Sequence, residues 1–266
     1  DRPMRALAAL AAPLVVLALA LPGHARELDV PFVPTPQSVV KEMLQMAKAG
    51  PDDVLYDLGS GDGRIVIAAV RDFGVKRAVG IDLNPERVKE ANDNARHADV
   101  TDKVEFLEAN IFEHDFSEAT VVTMYLLTQV NLKLRPRLLS ELKPGTRIVS
   151  HQFNMGDWEP DETKTLSGRD IYFWVVPAKV EGKWQWSDGG ATYEVELRQH
   201  YQKLEGVLKV GGKEVPLRNA RVNGEQVTFT AEVDGKPRSF EGKLKGEQLV
   251  IAGNGGEGGA VARRVL

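Results

Sequence analysis

Residues 55–67 read Leu55-Tyr-Asp-Leu-Gly-Ser-Gly-Asp-Gly-Arg-Ile-Val-Ile67, a buried strand followed by a glycine turn and the start of a helix. Glycines let the backbone approach a ligand closely and adopt dihedral angles that a Cβ opposes. Free N–H groups at the helix start are expected to face that ligand. The stretch therefore predicts a cradle for a nucleotide-containing cofactor. Its predicted binding residues are Gly59, Ser60, Gly61 and Gly63.

Asp57, two residues before the first glycine, narrows the choice of cofactor. A dinucleotide site normally reads G-x-G-x-x-G and binds pyrophosphate at the helix N-terminus, where a carboxylate would repel it. The pattern here is D-x-G-x-G-x-G. An acidic group suits a ligand that carries an ammonium and a sulfonium, and S-adenosylmethionine carries both. The alternative is an ordinary strand-to-helix turn with acidic residues at the surface.

Two further strand ends extend the predicted site. The segment Arg77–Leu83 ends in Asp82, whose carboxylate can accept hydrogen bonds from both ribose hydroxyls. The apolar segment Val104–Ile111 brings Asn110 to the same sheet edge as a partner for the adenine. The ordered set of three strand ends favours a cofactor site over three unrelated surface residues.

The pattern around this site predicts an α/β fold. Thr35 and Pro36 are expected to provide an N-cap and a first-turn proline for a helix that ends at Gly50. Strands separated by helices imply a parallel sheet with helices on both faces, and ligands bind such sheets at the carboxyl ends of the strands. The predicted strands are 53–58, 77–82, 103–108, 120–127 and 146–152, and the predicted helices between them are 63–73, 85–97 and 129–142.

Near residue 185 the helical period gives way to short alternating segments. Hairpin turns are expected at Gly211-Gly212, Asn223-Gly224, Asp234-Gly235 and Gly246. We interpret residues 186–266 as a small antiparallel β domain of unknown role, either a meander or a small open barrel. Within it, Gly253–Gly259 is predicted to be a loop, and Val261–Leu266 a last strand.

The N-terminus is typical of a secretory signal peptide. Arg2 and Arg5 precede an apolar run from Ala6 to Leu21, and Pro22-Gly-His-Ala25 has small residues where a signal peptidase cleaves. The predicted organisation is therefore a signal peptide over 1–25, an α/β domain over 26–185 and the β domain. An uncleaved membrane anchor is the alternative, and it is the one route to membrane contact that the sequence offers. Both interpretations place the rest of the chain outside the cytoplasm, in the periplasm or secreted.

Composition limits the partners. The chain has no cysteine, so it has no disulfide and its stability depends on an ordinary core. A formal net charge of −4 gives no basic field for nucleic acid, and none is predicted as a partner. No metal site is predicted either, because the adjacent Glu113, His114 and Asp115 are typical of a solvated turn.

Three quoted segments resemble class I S-adenosylmethionine-dependent methyltransferases: Val30-Pro-Phe-Val-Pro-Thr-Pro36, Tyr56-Asp-Leu-Gly-Ser-Gly-Asp-Gly-Arg-Ile-Val66 and Lys143-Pro-Gly-Thr-Arg-Ile-Val-Ser-His151. Together with the helix Gln129–Leu134, they are similar to the lysine methyltransferases of the ATP synthase c-subunit and the adenine nucleotide translocase. They resemble the non-SET histone lysine methyltransferases more distantly. The resemblance covers about residues 29–180.

The resemblance implies a Rossmann-like class I methyltransferase sheet with S-adenosylmethionine as cofactor. It assigns Asp57 and the glycines to the methionine end, Asp82 to the ribose and Asn110 to the adenine, with Thr35 closing over the cofactor. Many members have Asp where this chain has Asn110.

The implied activity is methyl transfer by in-line displacement to the lysine amine of a protein substrate, with membrane proteins among the candidates. Burial favours the neutral amine and aromatic walls can hold the ammonium beforehand. Tyr125 and Asn131 are the candidate catalytic residues, although Asn131 is equally suited to beginning a helix. His151 is interpreted as structural. Candidates for the aromatic wall are Phe32, Tyr125, Phe153 and Trp158.

Two alternatives stay open at this point. One is a small-molecule or lipid methyltransferase whose β domain holds an apolar substrate. The other is a non-catalytic exported binding module that retains the fold.

Overall fold

The computed structural model describes residues 32–253 and 258–266. The predicted signal peptide, residues 1–25, lies outside the described residues, as does the centre of the predicted loop Gly253–Gly259. In the part of the chain that is described, no helix is long and apolar enough to cross a membrane.

The first part of the chain alternates between strands and helices up to Val175. Its elements are α1 (Gln37–Met46), β1 (Val54–Leu58), α2 (Arg64–Phe73), β2 (Arg77–Asp82), α3 (Pro85–His97), β3 (Val104–Glu108), β4 (Val121–Met124), α4 (Thr128–Glu141), β5 (Arg147–His151), β6 (Glu162–Leu166) and β7 (Arg169–Val175).

These strands form one seven-stranded sheet in the order β3-β2-β1-β4-β5-β7-β6. Strands β1 to β5 are parallel, and β7 and β6 continue the sheet antiparallel beyond β5. The predicted α/β sheet is confirmed. Because the strand order reverses between β1 and β4, a crevice opens there at the carboxyl ends of the strands.

Side chains alternate along β1 and build two apolar cores, one on each face of the sheet. Leu55 packs in the core that α1 and α2 cover, together with Leu44. Tyr56 belongs to the opposite core, together with Met124 of β4, and Leu134 of α4 covers this core. Helices on both faces therefore hold the carboxyl edge of the sheet in place.

One local prediction is wrong, and one element was missed. Thr35 does not cap α1: the cap position is Pro36, without a side-chain hydrogen bond, and Thr35 contacts another element instead. The β6–β7 hairpin was not predicted, because β6 is an exposed edge strand whose sequence, Glu-Thr-Lys-Thr-Leu, lacks an apolar face.

The second part of the chain is entirely β. Its strands are β8 (Gly182–Asp188), β9 (Ala191–His200), β10 (Lys203–Val210), β11 (Lys213–Pro216), β12 (Arg218–Asn223), β13 (Gln226–Val233), β14 (Lys236–Lys245), β15 (Gln248–Ile251) and β16 (Ala260–Val265). Adjacent strands pair antiparallel, and the predicted hairpin turns and last strand are confirmed.

This second sheet is a closed barrel instead of an open one. β9 pairs with both β8 and β10, which joins the two ends of the sheet and leaves β11 as a hairpin arm outside the ring. Its interior is filled by buried side chains such as Trp184, Trp186, Phe229 and Phe240. A filled interior gives no support to the hypothesis that the β domain encloses an apolar substrate.

Candidate active site

A cavity of about 700 Å³ opens at the carboxyl ends of β1, β2 and β4. Its size is typical of a site for a small organic ligand. The predicted site residues on its wall are Thr35, Asp57, Gly59, Ser60, Asp82, Asn110 and Tyr125. Gly61, Gly63 and Asn131 do not line it.

Several backbone donors of the glycine loop form hydrogen bonds within the protein. Ser60 donates its N–H to the carbonyl of Ile81 at 2.9 Å, and Gly63 donates to the carbonyl of Ser60 at 2.9 Å. Gly61 donates to Asp82 Oδ2 at 2.8 Å. These three N–H groups are therefore not free for a ligand, and at the start of α2 the Arg64 N–H donates to Asp62 Oδ1 at 3.2 Å. The expectation of free N–H groups at the helix start stays a prediction for the residues after Arg64.

Gly61 is the glycine over which an aromatic ring packs. Its φ of +53° is left-handed, and a Cβ there would lie 2.2 Å from Cε2 of Phe32. The guanidinium of Arg87 lies 4.4 Å from the centre of the same ring, in a cation–π contact. Phe32 thus covers the glycine loop and forms part of the cavity wall.

Gly63 has a packing role. It ends the loop with a φ of +81° and precedes α2. A Cβ at this position would lie 3.0 Å from the Cβ of Ala91 and 2.6 Å from the Phe106 ring. The residue is needed for close contact between the loop and α3, not for contact with the cavity.

Asp57 is the buried acid of the site. It is 2% exposed, and its Oδ1 accepts a hydrogen bond from Thr123 Oγ1 at 2.9 Å. Burial raises the pKa of Asp57 to about 8; the Thr123 hydrogen bond opposes this shift, and the charges of Asp82 and Asp62 add to it. A cation bound beside Asp57 would favour its ionised form.

Asp82 joins the glycine loop to the end of β2. Besides Gly61, it accepts the N–H of Asn84 on Oδ1 at 2.9 Å. Asn110 uses its Oδ1 to accept the Phe112 N–H at 2.9 Å, so its amide nitrogen is the group left to meet a ligand. Both side chains line the cavity, where the sequence placed them.

Residues 32–35 close one side of the cavity. Arg64 donates from Nη1 to the Thr35 carbonyl at 3.1 Å and forms a bidentate pair with Asp62. The hydroxyl of Thr35 lies 3.1 Å from Nδ1 of His151 at the end of β5. Thr35 therefore connects this segment to the sheet edge.

We expect Thr35→Val to lower the free energy of unfolding by about 1 kcal/mol, because it leaves the buried His151 ring without its hydroxyl partner. Thr165→Val is the control, since Thr165 is exposed and bonded only to the nearby Asp170. Urea unfolding of both variants measures the difference. An equal effect in the two variants would contradict the prediction.

Tyr125 faces the cavity from the end of β4 as part of an aromatic stack. Its ring lies 3.9 Å from the His151 ring and 6.0 Å from the Phe153 ring, measured between centroids. Phe153 also lines the cavity. His151 is fully buried, and burial, with the Arg169 charge as a second cause, lowers its pKa to about 4. A neutral, buried ring packs against Tyr125 but is a poor general base near neutral pH.

Two predicted residues lie away from the cavity. Asn131 is fully buried, and its Nδ2 donates to the carbonyls of Phe153 and Asn154 at 3.2 and 3.1 Å. It holds the loop after β5 instead of facing an acceptor. Trp158 is also fully buried and packs against Trp174, so its assignment to the aromatic wall is wrong.

Sequence reasoning missed Arg64 and Arg87 as residues of the cavity wall. Arg64 immediately follows the last glycine and Arg87 is in the first turn of α3, so both follow a strand of the cofactor edge. In the described ranges no cluster of three acidic or histidine side chains is arranged for a metal.

The residues present fit S-adenosylmethionine. Asp57 on the wall offers a carboxyl group to its cationic methionine part, Asp82 can accept hydrogen bonds from its ribose hydroxyls, and apolar side chains line much of the remainder.

Comparisons with known proteins agree with this geometry. The model of the ANTKMT methyltransferase domain family matches residues 57–162. A protein-lysine N-methyltransferase of Saccharolobus islandicus (strain REY15A) is 56% identical over 151 residues, which are 55% of this chain and 94% of that protein. The lysine N-methyltransferase of the ATP synthase c-subunit from Xenopus laevis is 34% identical over 156 residues, 59% of this chain and 65% of that protein.

One solved structure is similar over the same share of the chain. It is described as an RNA methyltransferase from Salinibacter ruber in complex with S-adenosyl-L-homocysteine, with 55% sequence identity and a TM-score of 0.55. The similarity covers 56% of this chain and 96% of that one. S-adenosylmethionine is the cofactor that these relationships and the cavity indicate together. The chain belongs to the family of S-adenosylmethionine-dependent protein-lysine methyltransferases that contain the ANTKMT methyltransferase domain.

Proposed function

We propose that this enzyme methylates a lysine side chain in an apolar, membrane-associated protein outside the cytoplasm. The observation that carries the proposal is the aromatic wall of Tyr125 and Phe153 beside the acidic cofactor end of one cavity. An aromatic face attracts an ammonium group, and the apolar surroundings favour the neutral amine that attacks.

The cofactor supplies an electrophilic methyl group on a sulfonium, so the protein has to align and desolvate the acceptor. Tyr125 and Phe153 can hold the lysine side chain from one side. His151 fixes the Tyr125 ring by stacking, and its low pKa keeps it uncharged beside an incoming cation. In this arrangement the proton leaves to solvent before the amine is enclosed.

An exposed apolar rim supports an apolar acceptor. The described residues include seven exposed large apolar side chains, of which Phe32, Val33 and Leu127 lie at the cavity wall. A fourth, Leu132, lies on α4 close to Gly156. Exposed apolar patches of this kind mark surfaces for apolar partners. An acceptor lysine flanked by apolar residues, as near a membrane, suits this rim.

The export part of the proposal depends on the N-terminal sequence. Its support is the basic pair Arg2 and Arg5, the apolar run and the small residues before Arg26. A membrane protein as substrate is also in line with the relative from Xenopus laevis, whose name assigns it to the c-subunit of ATP synthase.

RNA is the competing acceptor, because the similar Salinibacter ruber structure is described as an RNA methyltransferase. The net charge of −4 and the apolar rim favour protein, since RNA binding depends on Lys and Arg contacts to phosphates.

Transfer of tritium from labelled S-adenosylmethionine tests the proposal. The purified protein is incubated with membrane protein, periplasmic protein, total RNA and extracted lipid in separate reactions, and mass spectrometry locates the added methyl groups. Methyl-lysine in a membrane protein is the expected product. Label in RNA or lipid alone would overturn the proposal, as would the absence of label from every fraction.

We expect Tyr125→Ala to lower kcat/KM for a lysine-containing peptide about tenfold, because positive charge develops on the lysine nitrogen as the methyl group is transferred and a cation–π contact in a desolvated site contributes about 1–2 kcal/mol. Tyr125→Phe retains the aromatic face and should stay within about twofold of wild type. The dissociation constant of S-adenosylmethionine, measured by calorimetry, should change little in either variant. Equal kinetics of the Ala and Phe variants would remove the ring from acceptor binding.

A further inference from the structure

Within the described residues the barrel does not line the cofactor cavity. The described residues on the cavity wall lie between Phe32 and Phe153, whereas the barrel begins at Gly182. The relative from Saccharolobus islandicus is matched over 94% of its length by 151 residues, so it has almost no chain left for such a domain. The barrel is therefore an addition to the methyltransferase fold and does not supply the cofactor site.

The barrel does contact the loop that enters the cavity. We call residues 152–161, between β5 and β6, the acceptor loop, because its Phe153 lines the cavity next to Tyr125. The turn between β9 and β10 lies against this loop. Gln202, which is 3% exposed, donates from Nε2 to the carbonyl of Glu159 at 2.7 Å.

Tyr201 is the second contact from this turn. Its ring stacks on Trp158 of the acceptor loop, with 5.8 Å between centroids, and its hydroxyl donates to Asp157 at 3.2 Å. The guanidinium of Arg135, on α4, lies 5.5 Å from the centre of the Tyr201 ring. Tyr201 has a left-handed φ of +54° in this turn, and its ring lies against the acceptor loop.

The acceptor loop is held from the methyltransferase side as well. Ser150 Oγ donates to the Phe153 carbonyl at 2.6 Å, and Asn131 donates to the same carbonyl. Arg135 Nη1 donates to the Met155 carbonyl at 2.9 Å. The first half of the loop is therefore fixed to β5 and α4. The second half is held on one side by β7, where Trp174 Nε1 donates to the Trp158 carbonyl at 2.9 Å, and on the other side by the barrel.

The buried contacts matter more than the ion pairs. Lys203 pairs with Glu159 and His200 lies near Asp157, but these side chains are all exposed, and exposed pairs contribute little. The Tyr201–Trp158 stack and the Gln202 hydrogen bond are the barrel contacts that contribute most to holding the loop.

We propose that the barrel is a positioning domain: its β9–β10 turn, through Tyr201 and Gln202, holds the acceptor loop so that Phe153 faces the lysine side chain. Tyr201 and Gln202 act through the loop and touch neither cofactor nor acceptor. The inference depends on the proposed function, because it assigns Phe153 to the acceptor side of the methyl-transfer site.

The test compares three single variants of the full chain. Tyr201→Ala and Gln202→Ala remove the contacts to the acceptor loop, and Lys213→Ala, on the β10–β11 hairpin, is the matched control in the barrel. The probe is a synthetic peptide with one lysine between leucines. We expect KM for this peptide to rise about tenfold in the first two variants, because a small displacement of a positioning group costs that much or more. In these two variants the affinity for S-adenosylmethionine should stay within about twofold of wild type. In Lys213→Ala both KM and this affinity should stay within about twofold of wild type. Tyr201→Phe, which keeps the stack, should restore the wild-type KM.

Amide hydrogen exchange of residues 152–161 provides the second readout, and it needs no substrate. Exchange should be at least about tenfold faster in Tyr201→Ala and Gln202→Ala than in Lys213→Ala. Unchanged exchange, or faster exchange with a wild-type KM, would overturn the inference. If the wild-type protein methylates neither this peptide nor any membrane protein, the proposed function fails, while the exchange rates still decide whether the barrel orders the loop.

Discussion

Replacing Asp57 by asparagine is expected to weaken S-adenosylmethionine binding by roughly 10- to 100-fold at pH 8, because a hydrogen bond to a charged group contributes about 1.5–3 kcal/mol. The variant should nevertheless fold. Asparagine keeps the shape of the side chain and the oxygen that accepts from Thr123 Oγ1. A buried carboxyl group destabilises the empty protein, and a cationic ligand stabilises its ionised form. This combination is typical of a binding site.

The pH dependence follows from two shifted groups with opposite signs. In the folded protein the pKa of Asp57 is about 8, above its ordinary value of 3.8, and the pKa of His151 is about 4, below its ordinary 6.5. Between pH 4 and 6.5 the folded state holds a proton on Asp57 and the unfolded state holds one on His151. The two states bind equal numbers of protons at these groups, so their contributions to the pH dependence of the free energy of unfolding cancel. Between pH 6.5 and 8 only the folded state holds the extra proton, and stability falls by about 1.4 kcal/mol per pH unit.

Binding should therefore release a proton in the same window. Calorimetric titration of S-adenosylmethionine at pH 7, in buffers with different ionisation enthalpies, measures this release. Asp57→Asn corrects for protons released by the cofactor amine, and it should also remove the fall in stability between pH 6.5 and 8. Thr123→Val takes away a hydrogen bond that lowers the pKa, so it should move the midpoint to higher pH. A wild-type release no larger than that of the Asn variant would exclude Asp57 as the titrating group.

The carboxyl edge of the sheet was predictable because it depends on local sequence. A buried strand fixes where its last residue lies, and parallel strands bring Asp57, Asp82 and Asn110 to one edge whatever the rest of the chain does. Tyr125 follows from the same rule at the end of β4. The prediction of that strand was still too long: β4 ends at Met124, since the following apolar residues Leu126 and Leu127 line the cavity instead of continuing the sheet.

The contacts that finish the site were not predictable, because they join segments distant in sequence. Phe32 covers Gly61, and Thr35 reaches His151, only after the segment before α1 has folded across the sheet edge. Asn131 has the residue type of an acceptor ligand, yet its hydrogen bonds to the loop after β5 decide its role. Side-chain chemistry identified these residues as candidates, but their tertiary contacts decide which of them face the cavity.

Closure of the barrel is a similar case. Each hairpin turn is visible as a short glycine or asparagine-glycine signal. The pairing of β9 with β10 is also a hairpin, but the turn around Tyr201 carries no glycine, since Tyr201 itself takes the left-handed conformation. The closure between β16 and β8 joins residues about 80 positions apart and has no local signal.

Asp82→Ala is expected to weaken S-adenosylmethionine binding by about 100-fold, because the carboxylate has two functions and the variant loses both. One is the expected hydrogen bonds to the ribose hydroxyls. The other is its pair of backbone contacts, to Gly61 at 2.8 Å and to Asn84 at 2.9 Å, which fix the glycine loop to the end of β2. Without these contacts the glycine loop, on which the Phe32 ring packs, is no longer fixed to the end of β2.

Asp82→Asn separates the two functions. Its single amide oxygen can keep one of the backbone contacts, and its neutral group still meets a hydroxyl, so the loss of affinity should be only about tenfold. Asp72→Ala is the control for removing a negative charge, because Asp72 is an exposed acid at the end of α2 paired with the adjacent Arg71. Calorimetry with S-adenosylmethionine and S-adenosylhomocysteine ranks the three variants. Equal losses for Asp82→Ala and Asp82→Asn would mean that charge alone matters and that the loop does not need the carboxylate, whereas wild-type affinity in both would exclude Asp82 from the cofactor site.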